Sequence, residues 1–252
     1  LLLKFIFSRA GIVVPEKVKM EKTMVNLTKQ GNVYIAQMQG EDGNALDLDM
    51  LLSLHNALDE VVENSKGPCA LVITATGKSF CSGLNLAKIT SYKGDQVKQF
   101  SDEIQRLFGR LVNFPVPTVA AINGHAFAGG AFLALACDYR VMRSDKGWFC
   151  ISEIDVGVSI VPEIMALAQL KLSPNVLQDA ILGGKRFSGE DCVKLNIAHA
   201  ACSEESLLDN ALEIIKPMAL KKRQLYKTFK NTLYGQCAVG MGVTSQASKI
   251  NK

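Results

Sequence analysis

The chain has 252 residues, 48% of them hydrophobic and 21% charged. That is enough to bury a sizeable core as one large domain or two small ones, and it excludes a disordered, collagenous or coiled-coil chain. The net charge of +4 is unevenly placed: residues 1–23 carry +3, residues 24–213 carry −7, and the stretch from Ile214 onward has eight basic side chains and no acidic one.

No apolar run approaches the roughly 20 residues that span a bilayer, so stable membrane insertion is not expected. The basic excess does not interleave with aromatic residues along the body, which argues against a nucleic-acid partner. Seven cysteines without a CxxC pair suit scattered thiols in a reducing compartment better than a disulfide framework. Residues 1–23 read as an unstructured, targeting or artefactual extension. Their basic residues with Ser8 faintly resemble a mitochondrial presequence, and the favoured alternative is translated upstream sequence with the start at Met20 or Met24.

The alternation of Asn32–Gln39 predicts a strand, with a turn at Gly40–Asn44. Apolar residues at 51, 54, 58, 61 and 62 follow helical spacing, with Asp47 or Asp49 placed to cap. Cys69–Thr74 is a continuous apolar run, as in a strand covered on both faces. A second helix is predicted from Asp95, with Val97, Phe100, Ile104, Leu107, Phe108 and Leu111 on one side, and Pro115 and Pro117 stop it. Thr118–Ile122 reads as another buried strand, Ala131–Cys137 as a short buried helix, and Tyr139–Arg143 as a third strand. The order implies repeated ββα or βα units with a largely parallel sheet. Beyond Pro162 the pattern is mostly helical.

Two turns share a design. Gly77-Lys-Ser-Phe-Cys-Ser-Gly83 and Asn123-Gly-His-Ala-Phe-Ala-Gly-Gly130 each follow a buried strand and lead toward a helix. Small residues let a ligand approach the backbone, and amides at a helix start point outward unpaired. One amide from each turn, converging on one oxygen, would form an oxyanion hole. Neither P-loop nor Rossmann glycine spacing occurs.

The strings Ala70–Leu86 and Pro117–Arg140 resemble the two signatures of the crotonase (enoyl-CoA hydratase/isomerase) superfamily, in the family's order and spacing. The resemblance runs from about Met24 to about Leu233. It implies an α/β spiral of ββα units over 24–195, a helical region over 196–252 used for trimerisation, and an acyl-CoA thioester as substrate. No separate cofactor or metal is implied, since coenzyme A belongs to the substrate, and a homotrimer or dimer of trimers is expected. By position, the oxyanion amides fall on Ser82 and Gly129. The stretch Lys78, Ser79, Phe80, Ser82, Gly83, Leu84, Asn85 and Leu86 corresponds to the one whose backbone meets the bent coenzyme A. Lys227 and Lys230 are weak candidates for its phosphates, against a solvated helix face.

The hydratase branch carries two glutamates. The first position is Phe132 here, which cannot ionise, and the second is Glu153. The same glutamate is the proton-shuttling base of the Δ3-Δ2-enoyl-CoA isomerase branch, and Ser152–Gly157 resembles the plant-type peroxisomal isomerases. The resemblance thus implies isomerisation of a 3-enoyl-CoA to the trans-2-enoyl-CoA in fatty acid β-oxidation. A weak hydratase and a non-catalytic acyl-CoA-binding homologue are the alternatives. An apolar surround of Phe132, Ile151 and Ile154 would raise the Glu153 pKa. In extended structure Asp155 would face away from it, and Glu163 follows Pro162 as a first-turn helix acid. Val158–Pro162 departs from close relatives and borders the acyl pocket, leaving chain-length preference open. His125 is read as packing or turn support, and Cys81 has no histidine partner within either motif. The plant-type resemblance points to the peroxisome, with the mitochondrion as the alternative, although the chain ends Ser248–Lys252 without the S-K-L address.

Overall fold

The computed structural model describes residues 24–65 and 67–243. In chain order the elements are β1 (Val25–Gln30), β2 (Val33–Met38), α1 (Leu48–Asn64), β3 (Ala70–Ala75), β4 (Ser79–Cys81), α2 (Leu86–Ile89), α3 (Asp95–Val112), β5 (Thr118–Ile122), β6 (His125–Phe127) and α4 (Gly129–Ala136). There follow β7 (Tyr139–Arg143), β8 (Phe149–Cys150), α5 (Glu153–Val156), α6 (Pro162–Lys171), α7 (Pro174–Ile181), α8 (Gly189–Lys194), β9 (Ala200–Cys202), α9 (Leu207–Ile215) and α10 (Arg223–Gly240).

A six-stranded sheet has the order β1-β2-β3-β5-β7-β9. Only β1, hairpin-linked to β2, runs antiparallel, and the other pairings are parallel. β3 and β5 are buried at every position, which explains their unbroken apolar sequences. Each turn of the spiral then lays a short strand into a second, parallel sheet of order β4-β6-β8. These strands are the ββα repeat expected from the sequence. Their downstream ends deliver the Ser82–Leu84 segment, Gly129 and Glu153.

One face of the large sheet is covered by α9 through Leu207, Ala211, Leu212 and Ile215. The other buries α1, α3 and α4 in the main core. Asp47 caps α1, its side chain accepting from the Met50 amide at 3.0 Å. On α3 the expected apolar face is buried from Phe100 to Leu111, but Val97 is 51% exposed.

The 196–252 region is not wholly helical, since β9 completes the edge of the large sheet. Its last helix folds back on the core. Met241 and Val243, just beyond α10, rest on Gly109 of α3, where a Cβ would lie 2.8 Å from a Val243 methyl. Lys230 is buried and its Nζ pairs with Asp138 at 2.8 Å, so it is neither a phosphate ligand nor part of a solvated face. Lys227 lies half-buried on the same helix. The readings made for residues 1–23 fall outside the described residues.

Candidate active site

A cavity of about 210 Å³ lies between α3 and the segment Val158–Ile164. Val97, Phe100, Ile104 and Phe108 of α3 form one wall; Leu84, Gly129 and Phe132 meet there, and Glu153 projects into it. Phe108 and Phe132 stand with ring centroids 6.3 Å apart. The lining is therefore overwhelmingly apolar around one carboxyl group. Val158–Val161 borders it, as the sequence suggested.

Glu153 is 8% exposed, and its Oε2 has no hydrogen-bond partner. Burial pushes its pKa up to about 7, against only a smaller opposing contribution from its own backbone amide. The surround differs in part from expectation. Residues 153–156 form a helical turn rather than extended chain, which directs Ile154 outward to 51% exposure. Phe132 and Ile151 are buried as expected. Asp155 is exposed and sits against Gly184, away from the cavity, and Glu163 lies in the first turn of α6.

The second glycine turn behaves as its sequence implies. Ala128 adopts φ +50°, a region costly for a residue with a Cβ, and the chain then enters α4 at Gly129. The Gly129 amide is the first of the helix and has no intrahelical acceptor. At the far end of α4, the cationic side chains of Arg140 and Lys171 donate to the Cys137 carbonyl at 3.0 and 3.5 Å, complementing the helix dipole.

The first turn differs from the sequence expectation, in which the Ser82 amide is the free donor. The Ser82 amide donates to the Gly43 carbonyl at 3.0 Å, and its hydroxyl to the Asp42 carbonyl at 2.7 Å. It is therefore committed and cannot serve as the free donor. The available amide is two residues on, at Leu84. The Gly83 carbonyl accepts from the Leu46 amide at 2.7 Å. A trans peptide points its N–H opposite to its C=O, so this contact aims the Leu84 N–H away from Leu46. Gly83, at φ +98°, makes that turn, and a Cβ on it would lie 3.6 Å from the Gly129 nitrogen and 2.9 Å from Ala128 Cβ.

Leu84, Gly129, Phe132 and Glu153 thus come together, and the rest of the first stretch does not enter the cavity. Ser79 and Phe80 are buried in β4, Asn85 caps α2 by accepting from the Lys88 amide, and Leu86 is 46% exposed. Lys78 is exposed and lines a separate cavity with His125 and Trp148. His125 stacks on Phe127 with ring centroids 4.8 Å apart, a packing contact. Cys81 is fully buried and its thiol is pushed up to about 12, which removes it as a nucleophile. The Phe100–Phe108 wall was visible in the sequence only as core, because one apolar helix face cannot announce that part of it borders a cavity.

A protein-family model for enoyl-CoA hydratase/isomerase matches residues 28–247. The chain belongs to that family. Among curated relatives it is 30% identical over 219 residues to enoyl-CoA delta isomerase 3 of Arabidopsis thaliana, covering 84% of this chain and 92% of that one. It is 28% identical over 233 residues to the peroxisomal enoyl-CoA delta isomerase 2 of the same plant, covering 88% and 97%. Among solved structures, a probable enoyl-CoA hydratase from Mycobacterium tuberculosis superposes with a TM-score of 0.79 at 25% identity, covering 87% of this chain and 92% of that one. The crotonase fold expected from the two signatures is the fold observed.

Proposed function

We propose that the protein is a Δ3-Δ2-enoyl-CoA isomerase of fatty acid β-oxidation. One observation carries the reading: a single buried carboxyl group with an unpartnered oxygen stands in an apolar cavity that Leu84 and Gly129 also border. In this reading the thioester oxygen accepts from the Leu84 and Gly129 amides. Glu153 removes a proton from C2 of the 3-enoyl chain. The resulting dienolate charge rests on the oxygen, and the same carboxyl group returns the proton to C4. Each amide is worth about 2.7–4 kcal/mol of barrier lowering. Phe132 fills the place of a second acid, so no side chain there activates water. The reaction needs no further cofactor.

Relatives named as delta isomerases support this reading, and two of them carry the word peroxisomal, which favours that organelle. Assembly as a homotrimer or dimer of trimers is part of the proposal. The outward face of α10 leaves Leu225, Phe229 and Leu233 between 51% and 65% exposed, as an interface would need. Sedimentation of the purified chain tests it, and a monomer rejects it.

Incubation with a 3-enoyl-CoA should produce the absorbance of the conjugated 2-enoyl thioester. Consumption of that conjugated product would instead mark a hydratase, and absence of C2 proton exchange a binding protein. The rate should depend on pH with a defined sign. Glu153 must be ionised to accept the first proton, so kcat/KM should rise with pH through a midpoint near 7. A profile flat from pH 5 to 8.5 would remove Glu153 as the base.

A further inference from the structure

The loop between β2 and α1 lines no part of the cavity, yet hydrogen bonds tie it to the first glycine turn and to both of its flanks. Asp42, Gly43 and Asn44 have φ of +52°, +72° and +60°, three successive left-handed residues of which two carry side chains. Such a run is costly and persists only when its surroundings over-determine it. Asn44 is 1% exposed with its amide group fully engaged. It accepts from the Gly40 amide at 2.8 Å and donates to the Thr76 carbonyl at 3.0 Å and the Ser79 carbonyl at 2.9 Å. It thereby joins both ends of its own loop to both ends of the Gly77–Lys78 turn. Next to it, Gly43 and Asp42 hold Ser82, and Leu46 holds Gly83 and accepts from Asn85 at 2.9 Å.

We propose that Asn44 is a positioning residue for the reaction, acting through this loop to fix the direction of the Leu84 amide. The inference rests on the isomerase reading above. Its chain of contacts is short. Asn44 sets where the loop lies against β4, the loop places the Leu46 amide, that amide holds the Gly83 carbonyl, and the planar peptide aims the Leu84 N–H. A donor displaced by about 1 Å costs on the order of 100-fold in rate. Glu153 lies on a different turn of the spiral and is untouched by the change.

The test compares Asn44→Ala with Asn44→Gly. Glycine accepts a φ of +60° without strain, so it removes the side-chain brace while sparing the backbone. Both variants should lose about 10–100-fold in kcat, with KM changed less than threefold and the midpoint of the pH profile unmoved. A purely structural role predicts instead that Asn44→Gly, once shown folded by its thermal melt, keeps wild-type kcat. That result overturns the proposal, as does a loss confined to KM. Hydrogen exchange at the Leu46 amide reads the brace without substrate, and it should accelerate at least tenfold in Asn44→Gly; unchanged protection also overturns it. An inactive wild type with accelerated Leu46 exchange in the variant would reject the isomerase reading while leaving the brace in place.

Discussion

Glu153→Gln is expected to abolish double-bond migration while leaving acyl-CoA affinity nearly unchanged. The amide is close in shape to the carboxyl group but cannot carry the proton from C2 to C4. A positioned base contributes typically 10²–10⁴-fold, and at least that loss in kcat should be seen. Turnover retained within tenfold of wild type would reject the assignment. The same substitution should affect stability in the opposite direction. Between pH 4.5, the group's ordinary value, and about 7, the folded protein holds a proton that the unfolded chain releases. Wild-type stability therefore falls as pH rises through that window, because νN exceeds νU. Glutamine has no proton to lose. Glu153→Gln should consequently gain in unfolding free energy relative to wild type between pH 5 and pH 8, read by denaturant titration at both values. An equal difference at the two values would show that Glu153 titrates normally.

Lys230→Met is expected to be the most damaging single change outside the cavity. Asp138 lies where α4 gives way to β7 and accepts from the Thr118 amide at 2.9 Å, the Thr118 hydroxyl at 3.1 Å and the Tyr226 hydroxyl at 3.0 Å. Lys230, 3% exposed, supplies the neutralising charge and also donates to the Leu111 carbonyl at 3.3 Å. Methionine keeps most of the volume and leaves a buried carboxylate without its cation, a loss of about 3–5 kcal/mol. Adding Asp138→Asn should recover part of it, since the pair acts as a unit and the two effects are not additive. Denaturation midpoints of the two single variants and the double variant check this. Strict additivity would mean that the ion pair contributes nothing.

The elements legible in the sequence were those with a period to read. The continuous runs of β3 and β5 and the helical spacing of α1 and α3 follow directly from residue order, which left the cap of α1 open between Asp47 and Asp49 until the structure chose Asp47. β1 escaped because Asn26, Lys29 and Gln30 make it a polar edge strand. β4, β6, β8 and β9 escaped because two or three residues cannot show an alternation. At the site, the resemblance to the two signatures pointed to Glu153 and Gly129, which border one cavity. The assignment of the donor amide to Ser82 failed for a physical reason. Which amide is free depends on the partner of its neighbour's carbonyl, and that partner, Leu46, is nearly forty positions upstream. Asn44 was read only as a turn residue, since its three bonds all go to backbone atoms. Lys230 was read as a charge on a tail, because nothing in a run of basic residues marks the one that will find Asp138.

The contact of Met241 and Val243 with Gly109 joins the end of the described chain to the helix that walls the cavity, one residue from Phe108. Pocket wall and the end of the described chain therefore pack against one another. Occupancy of the cavity should be legible from outside it, as slower proteolytic clipping behind Cys237, and a label attached near that end would report ligand without touching the chemistry.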